Sequence, residues 1–193
     1  MSEWNAMTAK VPPGALATED APAITSNDFP RAASEEATAD VAADGVNTSV
    51  VRLPQVHDPE RQGLISPWIA IAREKGVLAY IGEGRNRWPA AHISDVARLY
   101  RLAIEKSEPG AIYNAVGEEG VPAREIAETI GRRLKMPVKS ITPEEAVGYF
   151  GWLAHLAARD MPASSALTQK KLGWRPTGPG LIADLERLPV SWN

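Results

Sequence analysis

Residues 48–57 read Thr48-Ser49-Val50-Val51-Arg52-Leu53-Pro54-Gln55-Val56-His57. The stretch from Thr48 to Leu53 is short and β-branched, which suits a strand. A loop follows, punctuated by Pro54, Asp58, Pro59 and Gly63. Helical patterns flank this strand on both sides. Upstream, Arg31–Ala43 is rich in Ala and Glu and ends at Gly45. Downstream, Leu64, Ile65, Trp68, Ile69 and Ala72 recur at helical spacing up to Lys75, with Gly76 as the stop.

The alternation continues to the carboxy terminus. Val77–Ile81 reads as a strand and Gly82–Arg87 as a loop. Ser94 or Asp95 can cap a helix whose apolar face is Val96, Leu99, Tyr100, Ala103 and Ile104. Pro109-Gly110 turns the chain into a strand over Ala111–Val116, and Pro122 opens a helix bearing Ile126, Ala127, Ile130 and Leu134. Val138–Ile141 is a further strand. Thr142-Pro143-Glu144-Glu145 combines a Thr cap, a proline at the first helical position and a Glu at the third, a capping box. Short helices are expected over Ser164–Leu172 and Leu181–Leu188. Helices alternating with short strands predict an α/β fold with parallel pairing, because parallel strands need crossover helices between them. Residues 1–30 differ: rich in Ala, Pro, Thr, Ser, Asp and Glu, they read as an irregular segment of mobile composition, with the ordered domain at 31–193.

The chain has 193 residues, 44% hydrophobic and 23% charged, as expected of a soluble globular domain. Its net charge is -3 and its basic residues are scattered, which excludes a nucleic-acid footprint. There is no cysteine, so disulfides, thiolate metal sites and a cysteine nucleophile are excluded, and a reducing cytosol fits. Met1–Asn5 carries an acid and no apolar run, unlike a secretory signal. The uncharged stretch Ala146–Ala158 falls short of the roughly 20 residues of a membrane span. The reading is of a cytoplasmic protein without membrane partners.

Four segments in order resemble the extended and atypical short-chain dehydrogenases/reductases, the NAD-dependent epimerase/dehydratase family. Ser49–His57 resembles the strand and loop that leave the nucleotide-binding domain. Trp88-Pro89-Ala90-Ala91-His92-Ile93-Ser94-Asp95-Val96-Ala97 resembles the His-x-x-Asp-Val-Ala segment that opens a helix. Ile112–Gly117 resembles the last sheet strand, and Leu172-Gly173-Trp174-Arg175-Pro176 the carboxy-terminal Leu-Gly-Trp-x-Pro element. The resemblance implies the carboxy-terminal part of such an enzyme: the last strands of a partial Rossmann-like parallel sheet plus the small helical substrate-binding lobe. It implies NAD(P) as cofactor and a small-molecule substrate, with Leu53, Pro54 and Val56 on the nicotinamide side and His57 near the substrate cleft.

Two features of that family are absent. No Gly-x-x-Gly-x-x-Gly strand–turn–helix precedes Arg31 to receive a pyrophosphate. None of Tyr80, Tyr100, Tyr113 and Tyr149 has a lysine four residues on, and the equivalent place reads Ser26-Asn27-Asp28-Phe29-Pro30-Arg31. No catalytic residue is therefore assigned. Gly117-Glu118-Glu119-Gly120-Val121-Pro122-Ala123 does fit Gly-x-x-Gly-x-x-Ala, but two glutamates would repel a diphosphate, and the reading is a turn plus helix cap.

Of the remaining candidates, Arg87 and Trp88 follow a Gly loop and could present a cation and an aromatic face to a substrate, or could plug a helix pair. His92 is a further substrate-side candidate, although with Asp95 it equally suits a helix start, Asp95 capping and His92 tying loop to core. His57, His92 and His155 are far apart in sequence and form no ligand cluster, so no metal is expected. Trp152, Trp174 and Trp192 read as packing residues. Ser164 and Ser165 read as helix caps, and without a Gly-x-Ser-x-Gly the sequence gives a hydrolase no support.

Two functions are consistent with these residues. One is the substrate side of an NAD(P)-dependent oxidoreductase, epimerase or dehydratase, with weak or no dinucleotide binding by the chain alone. Its missing companion strands predict an exposed sheet edge. That edge would lead it to self-associate, to pair with a separately encoded amino-terminal half, or to belong to a longer reading frame. The other is a non-catalytic small-molecule or partner-binding module derived from the same family.

Overall fold

The computed structural model describes residues 9–189 except Pro13 and Asp28. Calls that fall on residues 1–8, Asp28 or Trp192 lie outside the described residues. In chain order the elements are α1 (Ala33–Ala43), β1 (Ser49–Arg52), β2 (Gln55–His57), α2 (Ile65–Lys75), β3 (Leu78–Ile81), β4 (Arg87–His92), α3 (Ile93–Lys106) and β5 (Ala111–Asn114). They continue with β6 (Glu118–Pro122), α4 (Ala123–Leu134), β7 (Val138–Ile141), α5 (Pro143–Phe150), α6 (Ala154–Ala157), α7 (Ala166–Leu172) and α8 (Leu181–Leu185). This is the expected α/β alternation.

The strands form three small sheets. β1 pairs with β5 in parallel, Ser49 opposite Ala111 and Arg52 opposite Asn114. β3 pairs with β7 in parallel. β4 lies between β2, which is parallel to it, and β6, which is antiparallel. Parallel pairing thus dominates without being universal. The sequence reading missed β2, β4 and β6, all of which sit beside prolines and glycines that read as loop. Glu118–Pro122 is the clearest correction: it is a strand on β4 rather than a turn, although the helix does start at Ala123.

The main core lies between α2, α4, α5 and α8 over β3 and β4, with Trp68, Trp88, Phe150, Ile126 and Ile130 at its centre. A second core joins α3 to β5 through Leu99, Tyr113 and Trp174. The capping box of α5 forms as read, Glu145 N–H donating to Thr142 Oγ1 and Thr142 N–H to the Glu145 carboxylate. The expected apolar face of α3 is corrected in part: Val96, Leu99 and Ala103 are buried, but Tyr100 is 42% and Ile104 75% exposed. Trp152, read as packing, is 68% exposed, while Trp174 is buried as expected.

The described part of the amino-terminal segment is irregular but docked. Ala9, Ala17 and Ile24 are buried, Ala17 bridges Ala163, and the Glu19 carboxylate accepts hydrogen bonds from the Thr168 N–H and hydroxyl. The composition rich in Ala, Pro, Thr, Ser, Asp and Glu that suggested mobility hides a buried carboxylate that fastens the segment to α7.

The β1–β5 pair sits at the margin of the molecule. Among the described residues neither strand has a second strand neighbour. α1, which packs beside β1, buries none of its residues. Val50 and Val51 are only half-buried, and with Leu53 and Tyr100 they line an open groove of about 400 Å³ between α1 and β1.

Candidate functional site

The sequence candidates fall into three places. The first is where β2 and β4 end together. Their parallel register sets His57 opposite His92, because each closes its strand. The expectation that the histidines are far apart is therefore corrected: the two rings lie 5.8 Å apart, edge to face. Strand pairing brings together positions that sequence separation had divided.

Between them stands Asp184 of α8. His57 Nδ1–H donates to Asp184 Oδ2 at 2.8 Å, and both side chains are wholly buried. A carboxylate oxygen only accepts, so the His57 proton is on Nδ1, and Nε2 is left as a buried acceptor without a partner among the described residues. Burial holds the His57 pKa below its ordinary value, against the opposing pull of the Asp184 hydrogen bond and charge. His92 Nε2 lies 3.7 Å from the same oxygen, too long for a hydrogen bond.

His92, not Asp95 or Ser94, caps α3. Its Nδ1 accepts from the Ser94 N–H at 3.3 Å. Asp95 has the other role, tying chain to chain. Its buried carboxylate accepts from Thr177 N–H at 3.1 Å, Gly178 N–H at 2.8 Å and the Arg98 guanidinium at 2.6 Å. Trp174 Nε1–H donates to the Asp95 carbonyl, and Leu181 N–H to Glu118 Oε2 at 2.7 Å. A Cβ on Gly178 would fall 2.6 Å from His92 Cβ, so only glycine lets the loop approach this closely. The loop before α8 is thus stitched at several points, and that stitching carries Asp184 to the two histidines.

The second place is a recess of about 80 Å³ beyond the carboxyl end of β1, walled by Leu53, Pro54, Gln55, Leu64, Trp88, Pro89 and Met161. Three sequence candidates, Leu53, Pro54 and Trp88, meet here. Val56 does not; it packs toward α3 and Trp174. Trp88 is 1% exposed and lies against Trp68, ring centroids 5.8 Å apart, so it does not stand out from a flexible loop as a free aromatic face. Gln55 is held in the wall by accepting from Leu64 N–H and donating to the Gln62 carbonyl.

Arg87 occupies the third. Its guanidinium grips Asp160, Nη2 to Oδ2 at 2.7 Å and Nε to Oδ1 at 3.0 Å, and also donates to the Gly14 carbonyl. That pairing raises its pKa. The expected cation is therefore present but already engaged.

Two chemical tests follow from this geometry. A dinucleotide's pyrophosphate needs free backbone amides at a helix start. The Gly117–Ala123 pattern cannot offer them: it is β6, Gly117 N–H donates to the Ala90 carbonyl, Ala123 N–H to that of Asn86 and Arg124 N–H to that of Gly84. That segment does not fit the group, and no step through it is assigned. A tyrosine base needs a lowered pKa. Burial instead raises those of Tyr113 and Tyr149. Among the described residues no group of three or more His, Asp or Glu side chains could hold a metal ion, and no helix is long and apolar enough to cross a membrane.

Sequence reasoning missed Asp184, Asp160, Gln55 and Met161. Asp184 is 127 positions from His57, and no spacing rule could pair them. Gln55, directly after Pro54, was within reach of the argument that places ligands beyond strand ends.

Known proteins share both sequence and shape with this chain. An uncharacterized protein of Schizosaccharomyces pombe is 48% identical over 81% of the chain, and one of Saccharomyces cerevisiae 40% over 80%. The match takes in 54% and 52% of those proteins, so the chain spans about half the length of the curated relatives it matches. Among solved structures, DesIV, a dTDP-glucose 4,6-dehydratase from Streptomyces venezuelae with NAD and TYD bound, superposes with a TM-score of 0.70. It is 20% identical, and the match covers 96% of this chain and 56% of that one. The human epimerase family protein SDR39U1 with NADPH gives 0.68 at 22% identity, covering 91% and 59%. These likenesses establish a Rossmann-like fold of the epimerase/dehydratase kind. The sequence pattern of the NAD dependent epimerase/dehydratase family matches residues 6–116, more than half of the chain, and the chain belongs to that family.

Proposed function

We propose that this chain supplies the substrate-side wall of an NAD(P)-dependent oxidoreductase, epimerase or dehydratase cleft, and that the nucleotide-binding half comes from elsewhere. The observation that carries the reading is the recess of Leu53, Pro54 and Trp88 at the carboxyl end of β1. In open α/β sheets ligands bind beyond the carboxyl ends of the strands. The dinucleotide would supply the hydride chemistry; Leu53 and Pro54 would face its nicotinamide side and Trp88 the substrate. His57, hydrogen-bonded to Asp184 and with the His92 ring beside it, would hold the wall in place, and Arg87 would brace its rim through Asp160.

The source of the other half is the margin at β1. Parallel sheets are normally covered on both faces. Here a parallel pair carries half-exposed valines, beside the exposed Leu53 and Tyr100. Such an edge invites a partner strand. The partner would be a separately encoded amino-terminal half, a second copy of the chain, or the remainder of a longer reading frame; a cytoplasmic setting suits a cysteine-free protein of this kind.

Sedimentation velocity tests the reading, alone and with the portion of the Schizosaccharomyces pombe relative that lies outside the match. Self-association, or a complex that gains NAD(P)H affinity, is expected. A cooperatively unfolding monomer indifferent to that portion would overturn it.

A further inference from the structure

The groove between α1 and β1 runs along a strand edge whose hydrogen-bonding groups are unused. Ala115 N–H donates to the Arg52 carbonyl, so Arg52 and, two residues back, Val50 turn their backbone groups toward β5. Alternation then points the N–H and carbonyl groups of Ser49, Val51 and Leu53 away from β5. None of these outward groups enters a hydrogen bond among the described residues. The far edge of β5 is less open. Asn114 N–H donates to Thr168 Oγ1 at 2.8 Å, and that hydroxyl donates to the buried Glu19 carboxylate at 2.6 Å.

Every residue from Ser49 to Leu53 lines the groove, as expected along an edge; a groove over a face would meet alternate residues. Helices wall it on two sides. Arg31, Ser34, Glu35 and Thr38, spaced i, i+3, i+4 and i+7, line it from α1 and the turn before it. Tyr100 lines it from α3. The two walls differ in polarity. Val51 packs against the α3 core, whereas Arg52, on the opposite face of β1, donates to Glu35. A strand laid along β1 would therefore have an apolar side by Tyr100 and a polar side by Ser34, Glu35 and Thr38. Charge is uneven along the groove as well. Thr48 Oγ1 donates to the Thr38 carbonyl and Arg52 to Glu35, so α1 runs antiparallel to β1 and Arg31 lies toward the carboxyl end of β1. Glu35 balances the charge of Arg52, but Arg31 donates to the Ser34 hydroxyl and has no carboxylate among the described residues.

Resting on the cleft-wall reading above and narrowing its partner, we propose that this groove takes one short strand of a different polypeptide segment, parallel to β1. Its side chains are apolar toward α3 and small and hydroxylic toward α1, and it carries a carboxylate at its carboxyl end against Arg31. Helices on both faces are the setting of parallel pairing. The usual continuous apolar run gives way to alternation here because the α1 wall is polar. A second copy matches this chemistry less well. Antiparallel β1–β1 pairing about a two-fold would bring Arg52 and no acid to each groove, and would set one α1 beside the other. The curated relatives, about half of whose length lies outside the match, hold enough further chain to supply the strand.

The test is amide hydrogen exchange of the full chain, read by NMR, with up to millimolar acetyl-KVTVTVE-amide and, separately, acetyl-KVTVTVK-amide. The glutamate peptide is expected to slow exchange saturably at Ser49, Val51 and Leu53, and to leave Val50 and Arg52 as they are in their ladder with β5. The lysine peptide is expected to bind about two- to fivefold more weakly, the worth of one exposed ion pair, and Arg31→Glu to reverse that order. The exchange pattern needs no variant, so it stands even where Arg31→Glu misfolds. Equal affinity for the two peptides overturns the stated charge of the partner. Protection of the same three amides without peptide, rising with protein concentration, overturns the occupant in favour of a second copy. No protection at these amides with either peptide overturns the groove as a strand site. The cleft-wall reading fails on a different result, the absence of any gain in NAD(P)H affinity in the complex tested above.

Discussion

Replacing His57 by leucine removes the one short donor among the described residues that reaches the Asp184 carboxylate, at 2.8 Å, inside a site where both side chains are wholly buried. Asp184 Oδ1 already lacks a partner, and His92 Nε2 at 3.7 Å is too distant to take over without moving. Removing the neutral partner of a buried carboxylate strands an acceptor, a cost of about 1–3 kcal/mol that rises for a carboxylate; His92 can relax toward it, so about 3 kcal/mol applies. For a chain of this size that is a fall in Tm of roughly 6–12 °C. The reverse change, Asp184→Leu, strands only a neutral N–H and costs about 1–3 kcal/mol. The double variant leaves neither group stranded and should be more stable than His57→Leu alone, a strongly non-additive cycle. Urea unfolding at pH 7 with matched m-values measures all three. Additive losses, or a His57→Leu effect below about 1 kcal/mol, would refute the reasoning that the buried Asp184 side chain depends on His57 for its donor.

The remaining predictions can be stated briefly. Burial, the larger effect, lowers the His57 pKa from its ordinary 6.5, so the unfolded chain takes up a proton first as pH falls. His57 therefore costs nothing above pH 6.5 and destabilises the fold progressively below it, down to its folded-state value; His57→Leu should flatten that part of a stability–pH profile. His155, lowered by burial and by Arg159, acts in the same direction and should account for some of the remaining slope. Gly84→Ala should destabilise by more than about 1 kcal/mol, since φ is +64° and the new Cβ would fall 2.6 Å from Arg124 Cβ and 2.8 Å from the Tyr80 ring. Thr142→Ala should cost about 1 kcal/mol by opening the α5 capping box, again read by urea unfolding.

Local signals carried far in this chain, and long-range pairing carried the rest. The capping box at Thr142, the stop at Gly76 and the strand at Val138–Ile141 were legible because each depends on neighbours a few residues away. β4 was not, since Trp88-Pro89-Ala90-Ala91 has no period-2 pattern: residues 88–91 are all buried, held between β2 and β6. Tyr100 and Ile104 followed the helical period yet stay exposed, because a periodic face needs something to pack on and nothing described covers it. At the site, Leu53 and Pro54 came from the family resemblance and Trp88 from the glycine loop before it. The roles of His92 and Asp95 came out exchanged, since both can cap and only the loop at Thr177–Gly178 decides between them. Asp184 had no sequence signature at all. Its meaning comes from the fold, which delivers it to His57.

The central claim is that this chain forms a cleft wall and does not itself hold the dinucleotide. Isothermal titration calorimetry of NAD+, NADH, NADP+ and NADPH against the isolated chain tests it directly. The account predicts no saturable heat at micromolar ligand with any of the four, because the Gly117, Ala123 and Arg124 amides at the one glycine-rich strand-to-helix junction each already have a carbonyl partner. A micromolar Kd for any of them would contradict it.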